Sequence, residues 1–330
     1  MKAFITGITG MVGSHLADYL LENTDWEIHG LIRWRSPLDN IEGLIKNINN
    51  KDRVFLHYGD LRDPQSINKV VSEVTPDYTF HLAAQSYPKT SFDAPIDTYD
   101  TNISGTSVLL EALKNYAEES CIHICASSEV FGRVSKEKLP INEECSYAIS
   151  KVGTDLVGRF YAEAYQMKVM TTRMFTHTGP RRGDVFAEST FAKQIALAEA
   201  GKIDPIIKVG NLNSMRTIAD VRDAVRAYHM LVTVNPISGE YYNIGGSHSC
   251  TIEKILNDLI NMSPLKSKLK IEVDLDRIRP IDADLQVTDT SKFKKHTGWQ
   301  PEIPYEKTIS DLLDYWRVQV EKKDGNYLTR

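Results

Sequence analysis

Short apolar segments alternate with longer helical patterns through the first half of the chain. The apolar segments are KAFITG, EIHGLI, VFLHYG, YTFHLAA, IHICAS and VMTTRMF. Strands and helices in alternation form a parallel sheet with helices on both faces. Residues 97–117 include the periodic stretch VLLEALKNYA, which predicts a long crossover helix between two of these strands. We therefore predict an α/β fold in which about seven parallel strands form a doubly wound sheet.

The composition argues against several classes of protein. A net charge of −5 argues against a surface built mainly to bind nucleic acid. No stretch approaches the roughly 18 to 20 apolar residues of a membrane span, and the start MKAFITGITG lacks the regions of a signal peptide. The four cysteines have no paired CxxC spacing, which favours reduced thiols over a metal site or disulfides. We expect a soluble, cytoplasmic protein that binds neither nucleic acid, membranes nor metal.

A glycine-rich turn directly follows the first apolar segment. Gly7, Gly10 and Gly13 lie in TGITGMVG, between a predicted strand and a predicted helix. Glycines at this spacing permit a tight turn, close approach of the backbone to a pyrophosphate and close packing of helix on strand. The start of the helix offers unpaired N–H groups to the anion. The turn predicts a dinucleotide site in a Rossmann-type domain, and the alternative is a glycine-rich turn without a ligand.

The residues after the second and third strands bear on the choice of cofactor. The second strand ends at Arg33-Trp34-Arg35, where a carboxylate would bind the ribose 2′-hydroxyl of NAD. Two guanidinium groups and no carboxylate favour the 2′-phosphate of NADP, and NAD stays as the alternative. Asp60, followed by Leu61, closes the third strand. Its carboxylate is predicted either to accept a hydrogen bond from the adenine amino group or to cap the helix after Pro64.

A tyrosine and a lysine four residues apart predict the chemical centre. Tyr147 and Lys151 lie one turn apart on one helix face, and a nearby cation favours the phenolate form of a tyrosine. The pair is suited to proton transfer with a sugar or alcohol oxygen. It follows the strand IHICAS, which ends in the polar residues Ser127, Ser128 and Glu129. Glu129 is interpreted as an acid or base, with a simple helix-start or loop carboxylate as the alternative.

The second half of the chain predicts a further domain. The alternation loosens after Phe175, where Gly, Pro and Arg cluster in HTGPRRGDVF. We predict a dinucleotide-binding domain over residues 1–175, with returning segments near 215–245, and a smaller α/β domain, mainly for the substrate, over residues 176–330. The returning segments are the helix-like DVRDAVRAYHMLV and the strand-like EYYNIGG.

Together these motifs resemble the extended branch of the short-chain dehydrogenase/reductase superfamily, which acts on nucleotide sugars. The resemblance covers nearly the whole chain, including HLAAQS, NISGT, SSEVFG, YAISK, THTGPRRG, NLNSMR, DVRD, RP at 279–280 and TGWQP. The later motifs are similar to those of GDP-mannose 4,6-dehydratases and the related GDP-4-keto-6-deoxymannose reductases, and are closest to dehydratases of GDP-D-glycero-D-manno-heptose. One departure is the interval from Glu143 to Tyr147, which is shorter than in that family.

The resemblance implies a role for each candidate residue. It implies that Ser127 binds the sugar 4-oxygen beside Tyr147 and Lys151, and that Glu129 is the acid and base at C5 and C6. The candidate cofactor-binding residues are Gly7, Thr9, Gly10, Met11, Val12, Gly13, Arg33, Asp60, Leu61, Leu82, Ala83, Ala84, Tyr147 and Lys151. The candidate substrate-binding residues are Ser86, Ser127, Thr176, Arg182, Asn211, Arg216 and Arg279.

The implied activity is 4,6-dehydration of a GDP-manno-configured sugar by internal hydride transfer through bound NADP or NAD. The main alternative is an NADPH-dependent reductase of a GDP-4-keto-6-deoxy sugar, because serine is usual in those relatives where Ser127 stands and most dehydratases have threonine. A regulatory nucleotide-binding protein without turnover is a further alternative. Hexose and heptose are not distinguished by the motifs. The resemblance also implies a homodimer or homotetramer, because relatives pair through the helices that match residues 97–117 and 150–165.

Overall fold

The structure of the chain is a computed structural model that describes residues 1–131, 145–278 and 285–323. The chain is divided into two compact units. Unit 1 comprises Met1–Met174, Arg222–Ile244 and Asp289–Gln300, and unit 2 comprises Phe175–Val221, Gly245–Thr288 and Pro301–Arg330. The candidate Arg279 and most of the short interval before Tyr147 lie outside the described residues.

The described residues form the following strands and helices. The strands are β1 (Lys2–Thr6), β2 (Glu27–Ile32), β3 (Val54–Tyr58), β4 (Tyr78–His81), β5 (Cys121–Cys125), β6 (Val169–Met174), β7 (His177–Thr178), β8 (Ile206–Val209), β9 (Met215–Asp220), β10 (Tyr241–Ile244), β11 (His248–Thr251), β12 (Lys270–Val273) and β13 (Leu285–Gln286). The α-helices are α1 (Met11–Asn23), α2 (Ile45–Asn50), α3 (Pro64–Val74), α4 (Pro88–Asp93), α5 (Pro95–Tyr99), α6 (Gly105–Tyr116), α7 (Ser146–Tyr165), α8 (Ala187–Glu199), α9 (Val221–Thr233), α10 (Ile252–Asn261), α11 (Ser291–Thr297) and α12 (Tyr305–Lys322).

Unit 1 contains the predicted doubly wound sheet. Its seven strands are all parallel, in the order β10-β6-β5-β4-β1-β2-β3. The predicted fold class and the number of strands are therefore confirmed. One apolar cluster packs α3, α6 and α7 against the sheet through residues such as Phe4, Val70 and Leu109. Because all strands run the same way, their carboxyl ends share one edge, which is where ligands bind in folds of this type.

The predicted crossover helix contains a local irregularity. Helices α5 and α6 are joined by a π-helical turn, Asp100–Ser104, so that the helical path continues from residue 95 to residue 116. A π turn inserts one extra residue, which rotates the side chains that follow it, and such turns are frequent at functional sites. The side chain of Asn102, within the turn, is buried.

Unit 2 is built from smaller sheets and three packed helices. Strand β9 pairs with β7, β11 and β13, and β8 pairs with β12. An apolar cluster formed by α8, α10 and α12 with these strands fills its interior. The Trp316 indole N–H on α12 donates to Ser189 Oγ on α8 at 2.8 Å, which fixes the contact between these helices. None of the helices in the described parts of the chain has the length and apolar character needed to span a membrane.

Two histidines are buried among the central strands of unit 1. His81 bonds Thr6 and Thr106 through its two ring nitrogens, and His123 bonds Thr172. Burial lowers the pKa of each from 6.5 to about 3, and the charge of Lys151 adds to the effect. Both imidazoles are therefore neutral at pH 7, which fits a packing role rather than an acid–base role.

These histidines should make unit 1 sensitive to acid. The pKa in the fold lies below the ordinary value of 6.5, so the unfolded chain binds more protons as the pH falls from about 6.5 towards 3. Each histidine then lowers the free energy of unfolding by up to about 1.4 kcal/mol per pH unit. Urea unfolding at several pH values checks this. The variant His123→Asn should show a shallower fall than wild type, and an unchanged slope would contradict the expectation.

Candidate active site

The glycine turn between β1 and α1 forms a close backbone contact. Gly7 has φ +78°, and a Cβ at this position would lie 2.9 Å from the amide nitrogen of Ala83. A Cβ at Gly13 would lie only 2.2 Å from the carbonyl oxygen of Gly7. Helix α1 begins at Met11, and its first amides have no partners within the helix. Glycine at these two positions therefore lets the turn pack closely against Ala83 and against the start of α1, and the unpaired amides of the helix fit the pyrophosphate of a dinucleotide.

The loop after β4 lies beside this turn. The hydroxyl of Thr6, at the end of β1, accepts hydrogen bonds from the amides of Leu82 and Ala83 at 3.1 and 3.2 Å. The carbonyl of Thr9 accepts from Asn40 of the segment after β2 at 3.0 Å. The candidate residues 7–13 and 82–84 are thus brought together at one edge of the sheet. Met11 and Gly13 are buried, whereas Thr9, Val12 and Ala84 are partly accessible.

Substitution of Gly13 by alanine should weaken binding of the dinucleotide. The added methyl group meets main chain that cannot move aside without shifting the start of α1. We expect the Kd for NADPH to rise by at least about tenfold, or 1.4 kcal/mol, in a titration of the purified protein. Gly43→Ala is the matched control, because a Cβ at Gly43 meets nothing within 4 Å. Equal affinity in wild type and Gly13→Ala would contradict a dinucleotide at this turn.

Asp60 is engaged by a neighbouring arginine. The guanidinium and backbone of Arg62 donate to both oxygens of Asp60 at 3.0 to 3.1 Å, and Arg62 also pairs with Asp97. These bonds lower the pKa of the Asp60 carboxyl, with a smaller contribution from the charge of Arg33. The alternative in which Asp60 caps the next helix is wrong, because Asp63 caps α3 through the amide of Gln65. An adenine contact at Asp60 stays a prediction; Leu61 beside it is buried.

Tyr147 and Lys151 lie at the start of α7, over the carboxyl end of β5. Cys145 caps this helix, its sulfur accepting from the amide of Ala148 at 3.4 Å. Lys151 donates to the carbonyl of Cys125, the last residue of β5, at 2.7 Å. Both the phenol and the ammonium group belong to largely buried side chains. Burial lowers the pKa of Lys151. Its ammonium group lies one helical turn from the phenol of Tyr147, where a positive charge favours the phenolate form.

Ser127 and Glu129 follow β5 directly. Ser127 is buried, and its hydroxyl accepts from the amide of Glu129 at 3.2 Å. Glu129 lies in the short 3₁₀ helix Ser128–Phe131, which packs against α7. The fold therefore brings the predicted hydroxyl and carboxylate to the same end of the sheet as the predicted phenol and ammonium. Ser86 lies in the loop after β4 and is exposed.

A buried network of hydrogen bonds around the amide of Asn102 holds α7 in place. Asn102 was not among the candidate site residues. Asn102, in the π turn, donates to Ser150 Oγ at 2.8 Å and to the carbonyl of Gln85 at 3.0 Å, and its oxygen accepts from the Gln85 amide at 2.8 Å. Ser91 accepts from the amide of Tyr147 at 3.1 Å. The network fixes α7 to the loop after β4. The motif NISGT was the only sequence signal for it.

The remaining candidates belong to unit 2. Thr176 accepts from the amide of Ala219 through its carbonyl, and Arg216 on β9 is buried, with one nitrogen donating to the carbonyl of Met215. Asn211 is exposed and donates to Ser214 at 3.1 Å. Asn211 and Arg216 are therefore close along one loop-and-strand segment.

Arg182 is paired within unit 2. Its Nε donates to Glu188 at 3.2 Å, and its guanidinium lies 3.4 Å from the centroid of the Phe186 ring. The charge of Arg182 is therefore offset by Glu188, which weakens the case for Arg182 as a phosphate ligand. Arg279 lies outside the described residues, so its predicted contact with the phosphates stays a prediction.

Comparison with known proteins agrees with the family resemblance of the sequence motifs. The sequence profile of the family described as GDP-mannose 4,6 dehydratase matches residues 4–312. The chain is 31% identical to GDP-mannose 4,6 dehydratase 1 of Arabidopsis thaliana, over 94% of this chain and 88% of the relative. It is 29% identical to GDP-mannose 4,6-dehydratase of Yersinia enterocolitica, over 94% and 92%.

Solved structures agree on the fold. The structure of RMD from Pseudomonas aeruginosa, complexed with NADPH, has a TM-score of 0.80 at 27% identity and covers 97% of this chain and 99% of its own. The dTDP-glucose 4,6-dehydratase DesIV of Streptomyces venezuelae, with NAD bound, has a TM-score of 0.83 at 21% identity, over 98% of each chain. The predicted resemblance is confirmed: the chain belongs to the GDP-mannose 4,6-dehydratase family, whose members are nucleotide-sugar 4,6-dehydratases of the extended short-chain dehydrogenase/reductase type.

Proposed function

We propose that this protein dehydrates a GDP-manno-configured sugar to the GDP-4-keto-6-deoxy sugar. The observation that carries the proposal is the placement of Tyr147, Lys151, Ser127 and Glu129 at one end of the sheet. A phenol beside an ammonium group suits proton removal from the 4-hydroxyl. A separate carboxylate suits proton transfer between C5 and the 6-hydroxyl, which a simple ketone reductase does not need.

The chain's own groups divide the reaction between them. Tyr147, in the phenolate form that the charge of Lys151 favours, takes the proton of the 4-hydroxyl and becomes the neutral phenol. Ser127 donates a hydrogen bond to the 4-oxygen. The 4-ketone acidifies the proton on C5, which Glu129 removes and returns to the departing 6-hydroxyl, so that one water leaves across C5 and C6. A nicotinamide bound at the glycine turn would supply a hydride acceptor for C4 and a hydride donor for C6. A proton that balances the one taken from the 4-hydroxyl returns to C5, so the overall reaction is loss of one water with no net redox change.

Mass spectrometry of the reaction mixture tests this function. Purified protein with GDP-mannose, and separately with its heptose homologue, is incubated without added reductant. Loss of one water from either substrate supports dehydration. An inert mixture that becomes active only with a GDP-4-keto-6-deoxy sugar and added NADPH would favour the reductase instead. Serine rather than threonine at position 127 supports that alternative.

We further propose NADP as the preferred cofactor. Arg33 and Arg35 follow β2 and are exposed, with no carboxylate among the residues that end the strand. The solved structure of RMD holds NADPH and that of DesIV holds NAD, so the relatives support a nicotinamide cofactor of either kind. Comparison of the affinities for NADPH and NADH tests the proposal, and tighter binding of NADH would contradict it.

A homodimer or homotetramer is our proposal for the assembly. Helix α7 exposes Ile149, Leu156 and Phe160, which are spaced by seven and four residues and so share one face. Exposed apolar residues that line one face of a helix indicate a contact surface. A monomeric mass by light scattering would contradict the proposal.

A further inference from the structure

A buried ion pair in unit 1 lies close to both catalytic elements. Asp155 follows Lys151 by four residues on α7, so the two share a helix face. Its Oδ2 accepts from Nε and Nη2 of Arg173, near the end of β6, at 2.9 and 2.6 Å. The side chain of Asp155 is 4% exposed and that of Arg173 is 13% exposed. The guanidinium is thus fixed in one orientation relative to α7.

The same guanidinium contacts two aromatic rings. Its Cζ lies 3.9 Å from the ring centroid of Tyr241, on the edge strand β10, and 5.2 Å from that of Phe131. Planar guanidinium groups are attracted to aromatic rings at such distances. Phe131 ends the short helix that begins at Ser128, two residues after Glu129. Arg173 therefore touches α7, β10 and the helix of Glu129 at once.

An ion pair of this kind is a poor means of stabilising the unit as a whole. The desolvation of both charges offsets much of their attraction, and apolar residues of similar volume often serve stability as well. What the pair does provide is a fixed direction for the guanidinium plane. The rings of Tyr241 and Phe131 contact this fixed guanidinium group. Because Phe131 belongs to the short helix, the position of Arg173 determines where that helix lies.

We propose that Arg173, held by Asp155, is a positioning residue that fixes the Glu129 helix against the Tyr147 and Lys151 helix. The inference rests on the proposed function, in which Glu129 acts at C5 and C6. Tyr147 and Lys151 lie on α7 itself and are held there by the Cys125 and Asn102 contacts. Loss of Arg173 should therefore disturb elimination across C5 and C6 more than proton removal at the 4-hydroxyl.

Hydrogen exchange tests the positioning without any substrate. The amides of Glu129 and Val130 are bonded to Ser127 in wild type, at 3.2 and 3.3 Å. In Arg173→Met they should exchange at least about tenfold faster, which is a loss of about 1.4 kcal/mol of local protection. Arg159→Met is the matched control, because Arg159 pairs with the same Asp155 at 3.7 Å and lies over the same Tyr241 ring at 5.5 Å. Unchanged exchange in Arg173→Met, or an equal effect of Arg159→Met, would overturn the proposal.

A second variant removes the ring and keeps the ion pair. Phe131→Leu should accelerate exchange at Glu129 and Val130 as Arg173→Met does, because either change breaks the contact between guanidinium and ring. Protection that stays at the wild-type level in Phe131→Leu would show that Arg173 does not act through Phe131.

Single-turnover measurements with GDP-mannose test the consequence for chemistry. Quenched samples of Arg173→Met should contain the 4-keto sugar that still carries its 6-hydroxyl, with elimination slowed on the order of 10²-fold by misplacement of the carboxylate. Equal slowing of oxidation at C4 and of elimination would indicate a merely structural role. It would contradict the expectation that loss of Arg173 affects elimination more than oxidation. If wild type leaves GDP-mannose unchanged, the proposed function fails, and the exchange data still decide whether Arg173 positions the short helix.

Discussion

Tyr147→Phe is expected to lower kcat for dehydration by about 10² to 10⁴-fold, the usual contribution of a general base. The variant keeps the ring that packs at the start of α7 and loses only the hydroxyl. The 4-hydroxyl then has no base of suitable strength, because Lys151 is a cation committed to the Cys125 carbonyl and Ser127 is not basic. Steady-state kinetics and direct binding of NADPH and GDP-mannose check this result, and both Kd values should stay close to wild type.

Tyr116→Phe is the matched control for that experiment. Tyr116 ends α6 and is exposed, so removal of its hydroxyl should leave kcat unchanged. Full turnover by Tyr147→Phe would show that another group takes the proton. A parallel loss in Tyr116→Phe would point to a general effect on the fold.

Glu129→Gln is expected to stop the reaction after oxidation at C4. The amide retains the shape of the side chain but cannot accept the proton from C5, so elimination should slow by about 10² to 10⁴-fold. Tyr147, Lys151 and Ser127 are unchanged, and quenched samples should therefore contain the 4-keto sugar with its 6-hydroxyl intact. Exchange of the C5 proton with deuterated water should be lost together with elimination.

Glu119→Gln serves as the control for Glu129→Gln. Glu119 pairs with Lys168 at the surface near the start of β5, at the opposite edge of the sheet from Glu129. We expect its replacement to have no effect on either step. Normal dehydration by Glu129→Gln would remove the distinction between this protein and a simple ketone reductase.

The strands of the sheet were accessible from the sequence because each is a short apolar run between helical patterns. All seven predicted strands are present in the sheet, including the returning segment Tyr241–Ile244. The glycine turn was equally clear, since the constraint at Gly7 and Gly13 is a steric property of the backbone. The segment Asp289–Gln300, which also belongs to unit 1, was not foreseen because its short helix carries no pattern specific to the sheet.

Contacts between distant segments were not accessible in the same way. The bonds of Asn102 join residues 17 and 48 positions away, and a π turn has no strong local signature. The pairs Arg62–Asp60 and Arg182–Glu188 join residues that are close in sequence, but their pairing depends on side-chain geometry that the sequence does not specify. Sequence reasoning therefore identified the residue types of the site better than the network that orients them.

Transfer of an isotopic label tests the central claim most directly. GDP-mannose deuterated at C4 is converted by the purified protein without added reductant, and the product is analysed by mass spectrometry and NMR. Internal return of the hydride predicts a GDP-4-keto-6-deoxy sugar that carries the deuterium on C6. A dehydrated product without deuterium at C6, or a requirement for one equivalent of added NADPH in each turnover, would contradict it.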